Sequence, residues 1–326
     1  MHGHFQKIFM PILSISTAMI CSCKNLDTLV FSGGGLRGGP LIAGSLWRLS
    51  KRLKNFDVVG YSRNIKEIRG ASIGSMAAIY IACRVDPDEF VADMMKINYY
   101  PLVEWSGVNL LNNYGLNDGQ KIIEYFNEFI YSKTNIKEAN FKELCDWAKL
   151  KLVIIASDIN DDGKEIILSD TTTPNMSVAE AMAASMSIPV FFSPRKFNSH
   201  LLVDGGLVNN YPISGVAGLC NPETTLGFLC RPGDSQELKK KKNWFDYFHK
   251  LISVILRNLD KGQFHHREKI NTLKLRTKSR SDAMTWSFTY EERQELLSAG
   301  IKSADDFLNQ GFLIDAYPKI ESSTQT

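Results

Sequence analysis

Five residues, Gly70-Ala71-Ser72-Ile73-Gly74, stand between a segment of strand character, Ile65 to Arg69, and an apolar run, Met76 to Ala82, that reads as a helix. Strand, tight turn and helix in this order are the context of a nucleophile elbow. The small flanking residues let the backbone take a sharp, strained bend that holds the Ser72 hydroxyl at the strand's C-terminal end, over the helix N-terminus. An alcohol held there is open to an electrophile. A purely local account also fits, because Ser is a favoured helix N-cap and Gly is common in such turns.

A second unit of the same kind lies upstream. Leu26 to Phe31 has the dense apolar character of a strand buried on both faces, and it runs into Ser32-Gly33-Gly34-Gly35-Leu36-Arg37-Gly38-Gly39. Pro40 suits the first turn of a helix, and Leu41, Ile42, Ser45, Leu46, Leu49 and Leu53 then share one helical face. Two functions compete for the glycine loop. Gly33-x-Gly35-x-x-Gly38 satisfies the dinucleotide fingerprint, with Asp57 about 20 residues further on. However, Asp57 precedes Val58-Val59 instead of closing an apolar strand, and an Arg inside the loop is unneeded where backbone amides hold a phosphate. Amides converging on one locus equally suit an oxyanion hole, and the neighbouring Ser72 turn supplies an oxyanion to hold.

With 326 residues, 44% hydrophobic and 22% charged, the chain can bury a large core, which excludes a disordered or repetitive protein. A net charge of +3 is too weak a bias to argue for nucleic acid. Cys83, Cys145, Cys220 and Cys230 sit singly in apolar surroundings and read as buried thiols; with no Cys-x-x-Cys pair or His/Cys cluster, no zinc site is expected. Near the N-terminus an uncharged run, Ile8 to Ile20, follows Lys7; it is short for a bilayer span but suits a signal-peptide core. Ile20-Cys21-Ser22-Cys23 loosely resembles a lipoprotein cleavage box, which would make Cys23 the lipidated first residue; the alternative is a helix or hairpin packed on the domain. Export and a cytoplasmic, peripheral location both stay open.

Between Asp86 and Asn140 the pattern is helical, opened by Asp86-Pro87, with Tyr99, Tyr100 and Trp105 in an irregular stretch and Gln120 to Ile130 amphipathic; an outer helical layer is expected here rather than a lid. Leu152 to Ala156 and Glu165 to Leu168 read as strands around the turn Asp161-Asp162-Gly163, and turn chemistry accounts for Asp158. Val178 to Ser187 is a small-residue helix ended by Ile188-Pro189. Leu201 to Val203 then delivers Asp204 into Gly205-Gly206, which places a carboxylate at a strand end; by itself Asp-Gly is also a hairpin turn.

Taken together, these stretches resemble the patatin-like phospholipases. Gly33-Gly34-Gly35-Leu36-Arg37-Gly38 looks like the family's oxyanion loop, Gly70-Ala71-Ser72-Ile73-Gly74 its nucleophile elbow, and Asp204-Gly205-Gly206 its catalytic-acid motif. Ala156-Ser157-Asp158, Ala184 to Pro194, Asn209-Asn210-Tyr211-Pro212 and a closing strand and helix over Phe288 to Gly300 extend the similarity. It covers residues 26–312 as one domain, leaving 1–25 and 313–326 outside. The resemblance implies a three-layer α/β/α sandwich with a mostly parallel central sheet, related to the α/β-hydrolases. It further implies a Ser72–Asp204 dyad that hydrolyses membrane phospholipids or other acyl lipids with no cofactor and no metal. Gly70, Gly74, Gly205 and Gly206 would support the dyad.

Two competing readings stay open on the residues alone. His200, His249, His265 and His266 could complete an esterase triad, and a non-catalytic nucleotide- or lipid-binding module would need Ser72 only as a cap. Lys239-Lys240-Lys241-Lys242, followed by Trp244, Phe245, Tyr247, Phe248, Leu251, Ile252 and Ile255, suits an anionic membrane surface, or else a solvated turn before a core-packing helix.

Overall fold

The first strand, β1 (Thr28–Phe31), forms on the apolar run Leu29-Val30-Phe31, and its alternation sends Leu29 and Phe31 to one face and Val30 to the other. The computed structural model describes residues 26–53, 64–231, 247, 251, 254–255, 270–276 and 288–311. The N-terminal run, Asp57, the lysine stretch, His249, His265 and His266 lie outside the described residues.

After β1 come α1 (Gly38–Arg52), β2 (Glu67–Ala71), α2 (Ile73–Ala82), α3 (Pro87–Lys96) and α4 (Gly107–Asn113). Next are β3 (Gly115–Asn117), α5 (Gln120–Thr134), α6 (Phe141–Ala148), β4 (Lys151–Asp158), β5 (Lys164–Ser169) and α7 (Val178–Ser185). The chain continues with β6 (Val190–Phe192), β7 (Arg195–Phe197), β8 (His200–Asp204), α8 (Gly206–Asn209), β9 (Thr225–Cys230), β10 (Asn271–Leu275) and α9 (Tyr290–Asn309). Strands β10-β9-β1-β2-β4 run parallel, whereas β5 and β8 pair antiparallel to β4 and β7 antiparallel to β8, giving the mostly parallel sheet expected. A separate two-stranded parallel pair joins β3 to β6.

Helices cover both faces of the sheet unequally. The larger core holds Leu29, Phe31, Leu152, Ile154 and Phe228 against α1, α2, α5–α7 and α9. On the opposite face, among the described residues, Val153 and Ile155 meet Val208 of α8, and Val30 and Leu229 meet Tyr211 and Ile213. Every residue of α2 is buried, which is why Met76 to Ala82 is apolar all round instead of striped. The four described cysteines are buried free thiols, as expected.

One expectation is corrected at the C-terminal side. Phe288 to Gly300 is not strand and helix: Thr289 and Glu292 form a reciprocal capping box that turns the chain directly into α9, and Phe288 belongs to no strand.

Candidate active site

β2 ends at Ala71 and α2 begins at Ile73, so the whole reversal falls on Ser72, whose backbone stands at φ 51°, ψ −129°. Such a conformation in a non-glycine residue costs on the order of 1–3 kcal/mol and persists only where its surroundings hold it. Here the Ser72 N–H donates to Ser185 Oγ (2.9 Å), Ser185 Oγ donates to the Ile155 carbonyl (2.6 Å), and the Ser72 carbonyl accepts from Ser75 N–H and Ser75 Oγ. Glycine is required beside it, because a Cβ on Gly74 would lie 2.3 Å from the Phe31 carbonyl oxygen and one on Gly70 2.4 Å from that of Gly74. The Ser72 side chain caps nothing, which removes the N-cap account. Its hydroxyl donates instead to Asp204 Oδ2 at 2.7 Å.

That contact spans 132 residues of sequence and arises from a change of partner along β4. Ile155 of β4 pairs with Ala71 of β2, and the next residue, Ala156, pairs with Asp204 of β8. The strand ends carrying Ser72 and Asp204 therefore meet above one point of the sheet. Asp204 is 3% exposed, and its Oδ1 accepts from the Gly206 N–H at 2.7 Å. Burial pushes its carboxyl up to about 6, against the pull of the hydrogen bonds from Ser72 and Gly206. The backbone around it is clamped: Asp204 N–H donates to Ser187 O, Gly205 N–H to Ser185 O, and Ser157 Oγ to Asp204 O.

The glycine loop faces the same spot. Gly35 and Leu36 line one cavity with Ser72 and Ile73. Gly33 N–H is engaged with the Asn210 carbonyl and Gly38 N–H with that of Gly35, so these two amides shape the loop. Among the described residues, Gly34, Gly35 and Leu36 donate no amide hydrogen bond. Arg37 is buried where α1 begins.

The cavity encloses about 680 Å³ including its open mouth, and its walls are mainly apolar: Ile122 and Phe126 of α5, Met186, Ile188, Phe192 and Tyr99. Tyr99 thus belongs to the cavity wall as well as to the helical layer expected around it. Arg195 also reaches the lining, but its guanidinium is held bidentately by Glu180 and donates to the Asp118 carbonyl.

Of the four candidate histidines only His200 lies among the described residues. It pairs with Asp158 Oδ2 at 2.6 Å, four residues down β8 from Asp204, or about 13 Å along an extended strand. Asp158 also accepts from the Asn160 and Leu201 amides, the turn role expected of it. Tyr247, Leu251, Val254 and Ile255 are helical and exposed, which runs against a core-packing helix at those four positions. Ser185 and Ser187 escaped sequence reasoning; their only signal was a pair of hydroxyls at the end of a small-residue helix, just before Ile188-Pro189.

Known proteins resemble this chain in sequence and in fold. The chain is 26% identical to uncharacterized protein R571 of Acanthamoeba polyphaga mimivirus over 88% of its own length and 95% of that protein's. It is 26% identical to probable lipid hydrolase 463L of Invertebrate iridescent virus 6, covering 72% of this chain and 74% of that one. In fold it is similar to VipD from Legionella pneumophila, with a TM-score of 0.58 at 18% identity over 88% of this chain and 67% of VipD. The family model described as patatin-like phospholipase matches residues 29–217, more than half of the sequence and the whole span from the glycine loop past Asp204. The chain belongs to the patatin-like phospholipase family.

Proposed function

We propose that the chain is a serine hydrolase of lipid acyl esters, phospholipids among them, working through a Ser72–Asp204 dyad in a catalytic domain spanning residues 26–312. The observation that carries this reading is the direct 2.7 Å hydrogen bond from Ser72 Oγ to Asp204 Oδ2, in the place of a triad's histidine, with Ser72 lining an apolar cavity. His200, engaged with Asp158 well away from the serine, does not support a triad.

In this scheme Ser72 Oγ attacks the ester carbonyl while its proton passes to Asp204 Oδ2. The carbonyl oxygen takes the negative charge and is met by the amides of Gly34, Gly35 and Leu36, which stand at the head of α1 and donate to no acceptor among the described residues. As the tetrahedral species collapses, the C–O bond to the alcohol breaks and Asp204 returns the proton to the leaving oxygen. Asp204 then takes a proton from water, the hydroxide attacks the acyl-enzyme, and Ser72 Oγ leaves reprotonated with the fatty acid released. A carboxyl raised to about 6 suits both halves of the cycle, since it is a stronger base than an ordinary Asp and still ionised at neutral pH.

Ser72→Ala should reduce release of fatty acid from phospholipid by about 10³-fold or more, and a fluorophosphonate probe should label Ser72 and nothing in the variant. A Ser72→Ala protein that retained hydrolysis would sink the assignment.

A further inference from the structure

Beside the cavity runs a short helix that leaves apolar side chains in water. From Trp105 to Asn117 the chain carries no acidic or basic side chain, and α4 within it buries none of its residues. Trp105, Val108, Leu111 and Tyr114, spaced by three, are 38%, 68%, 82% and 69% exposed. Its polar residues do the fastening. Ser106 Oγ accepts from Asn109 N–H, Asn109 Nδ2 donates to the Gly115 carbonyl (2.6 Å) and to Ser193 Oγ (3.0 Å), and Asn117 Nδ2 donates to the Glu104 carbonyl. The segment is therefore tied to the β3–β6 pair by Asn109 and Asn117 while Val108 and Leu111 face water. The strip is also continuous with the cavity, because the Trp105 ring lies 6.4 Å from both Phe191 and Phe192, and Phe192 lines the cavity with Ser72.

We infer that Trp105, Val108, Leu111 and Tyr114 form a docking strip for a neutral lipid surface, seating the cavity mouth against the aggregate that holds the substrate. The inference rests on the acyl-hydrolase reading for its choice of occupant. Trp and Tyr at the two ends, with aliphatic side chains between, match the headgroup–acyl boundary, where such rings sit with one edge wet. An uncharged strip has no ion pair to offer an anionic headgroup, so its attachment should be indifferent to salt. Four side chains are also few for a protein partner, which takes about 20–30 residues a side.

The test uses the full chain with Ser72→Ala as background, so that vesicles stay intact, and measures flotation with phosphatidylcholine vesicles at low and high salt. Val108→Asp and Leu111→Asp together should weaken partition by about tenfold or more at both salt levels. With Ser72 restored, the same pair should leave hydrolysis of a soluble short-chain ester unchanged and depress hydrolysis of vesicular phospholipid. Partition that is unaltered by the pair, or that depends only on Lys239–Lys242 and vanishes in high salt, overturns the inference. So does light scattering showing that the strip is buried in a dimer which the pair dissociates. Failure of the wild-type chain to cleave the soluble ester would count against the catalytic reading and leave the partition result to decide the strip.

Discussion

Asp204→Asn should make this protein more stable while it destroys activity. The carboxyl has an ordinary value of 3.8 and is pushed up to about 6 in the fold. Each tenfold change in proton affinity corresponds to about 1.4 kcal/mol, so ionised Asp204 costs the native state about 3 kcal/mol at any pH above 6. Between pH 3.8 and 6 the folded chain binds the proton that the unfolded chain has lost, so stability from this group falls as pH rises through that window. Below 3.8 both states are protonated and the cost vanishes. Asparagine imitates the protonated acid: Oδ1 keeps the Gly206 N–H, and the Ser72 hydroxyl turns from donor to acceptor toward Nδ2. Some alignment is lost in that exchange, so the expected gain at pH 8 is about 1–3 kcal/mol, or about 1.5 °C of Tm per kcal/mol for a chain of this length. Thermal unfolding of variant and wild type at pH 8 and pH 4 reads it. A gain at pH 8 that disappears at pH 4 supports the argument; a variant no more stable at pH 8, or one whose advantage grows in acid, refutes it.

On the proposed dyad the same carboxyl should set the rate profile: with Asp204 as base in the free enzyme, kcat/KM for a soluble ester should rise with pH through about 6, and a limb that instead follows replacement of His249, His265 or His266 would restore the triad. Ser185→Ala removes the acceptor of the Ser72 N–H and the donor to the Ile155 carbonyl, leaving buried groups unpaired. Urea unfolding should show a loss of about 1–3 kcal/mol, and kcat should fall with KM for the soluble ester little changed.

Much of the site was legible before any fold was known, because the signals concerned are local. A Gly-x-Ser-x-Gly turn between strand and helix follows from backbone sterics over five residues, and the close approach of Gly74 to Phe31 shows why nothing larger fits. The glycine loop, the strand into Asp204 and the burial of α2 were likewise written in short-range pattern. Boundaries shifted by two or three residues: β2 runs on to Ala71 and α2 starts at Ile73, since hydrogen-bonded register decides where a strand stops. The closing segment was misread because a run of aromatic and β-branched residues looks like strand until the Thr289–Glu292 box is recognised as a helix start.

Other features depend on segments that are distant in sequence. Whether Ser72 and Asp204 touch is settled by β4 exchanging β2 for β8 between Ile155 and Ala156. The rise of the Asp204 carboxyl comes from desolvation, a sum over atoms supplied by many elements. Which loop amides stay unengaged depends on Asn210, far down the chain, capturing Gly33. The outward aspect of Val108 and Leu111 belongs here too, because apolar spacing of three reads the same whether a helix faces the core or the solvent. The sequence alone determined the candidate reactive groups and the turns that present them, through sterics and periodicity that act within a few residues. Tertiary structure decided their partners, their proton affinities and the side of the molecule that meets the outside, since those depend on which distant chain segments exclude water from them.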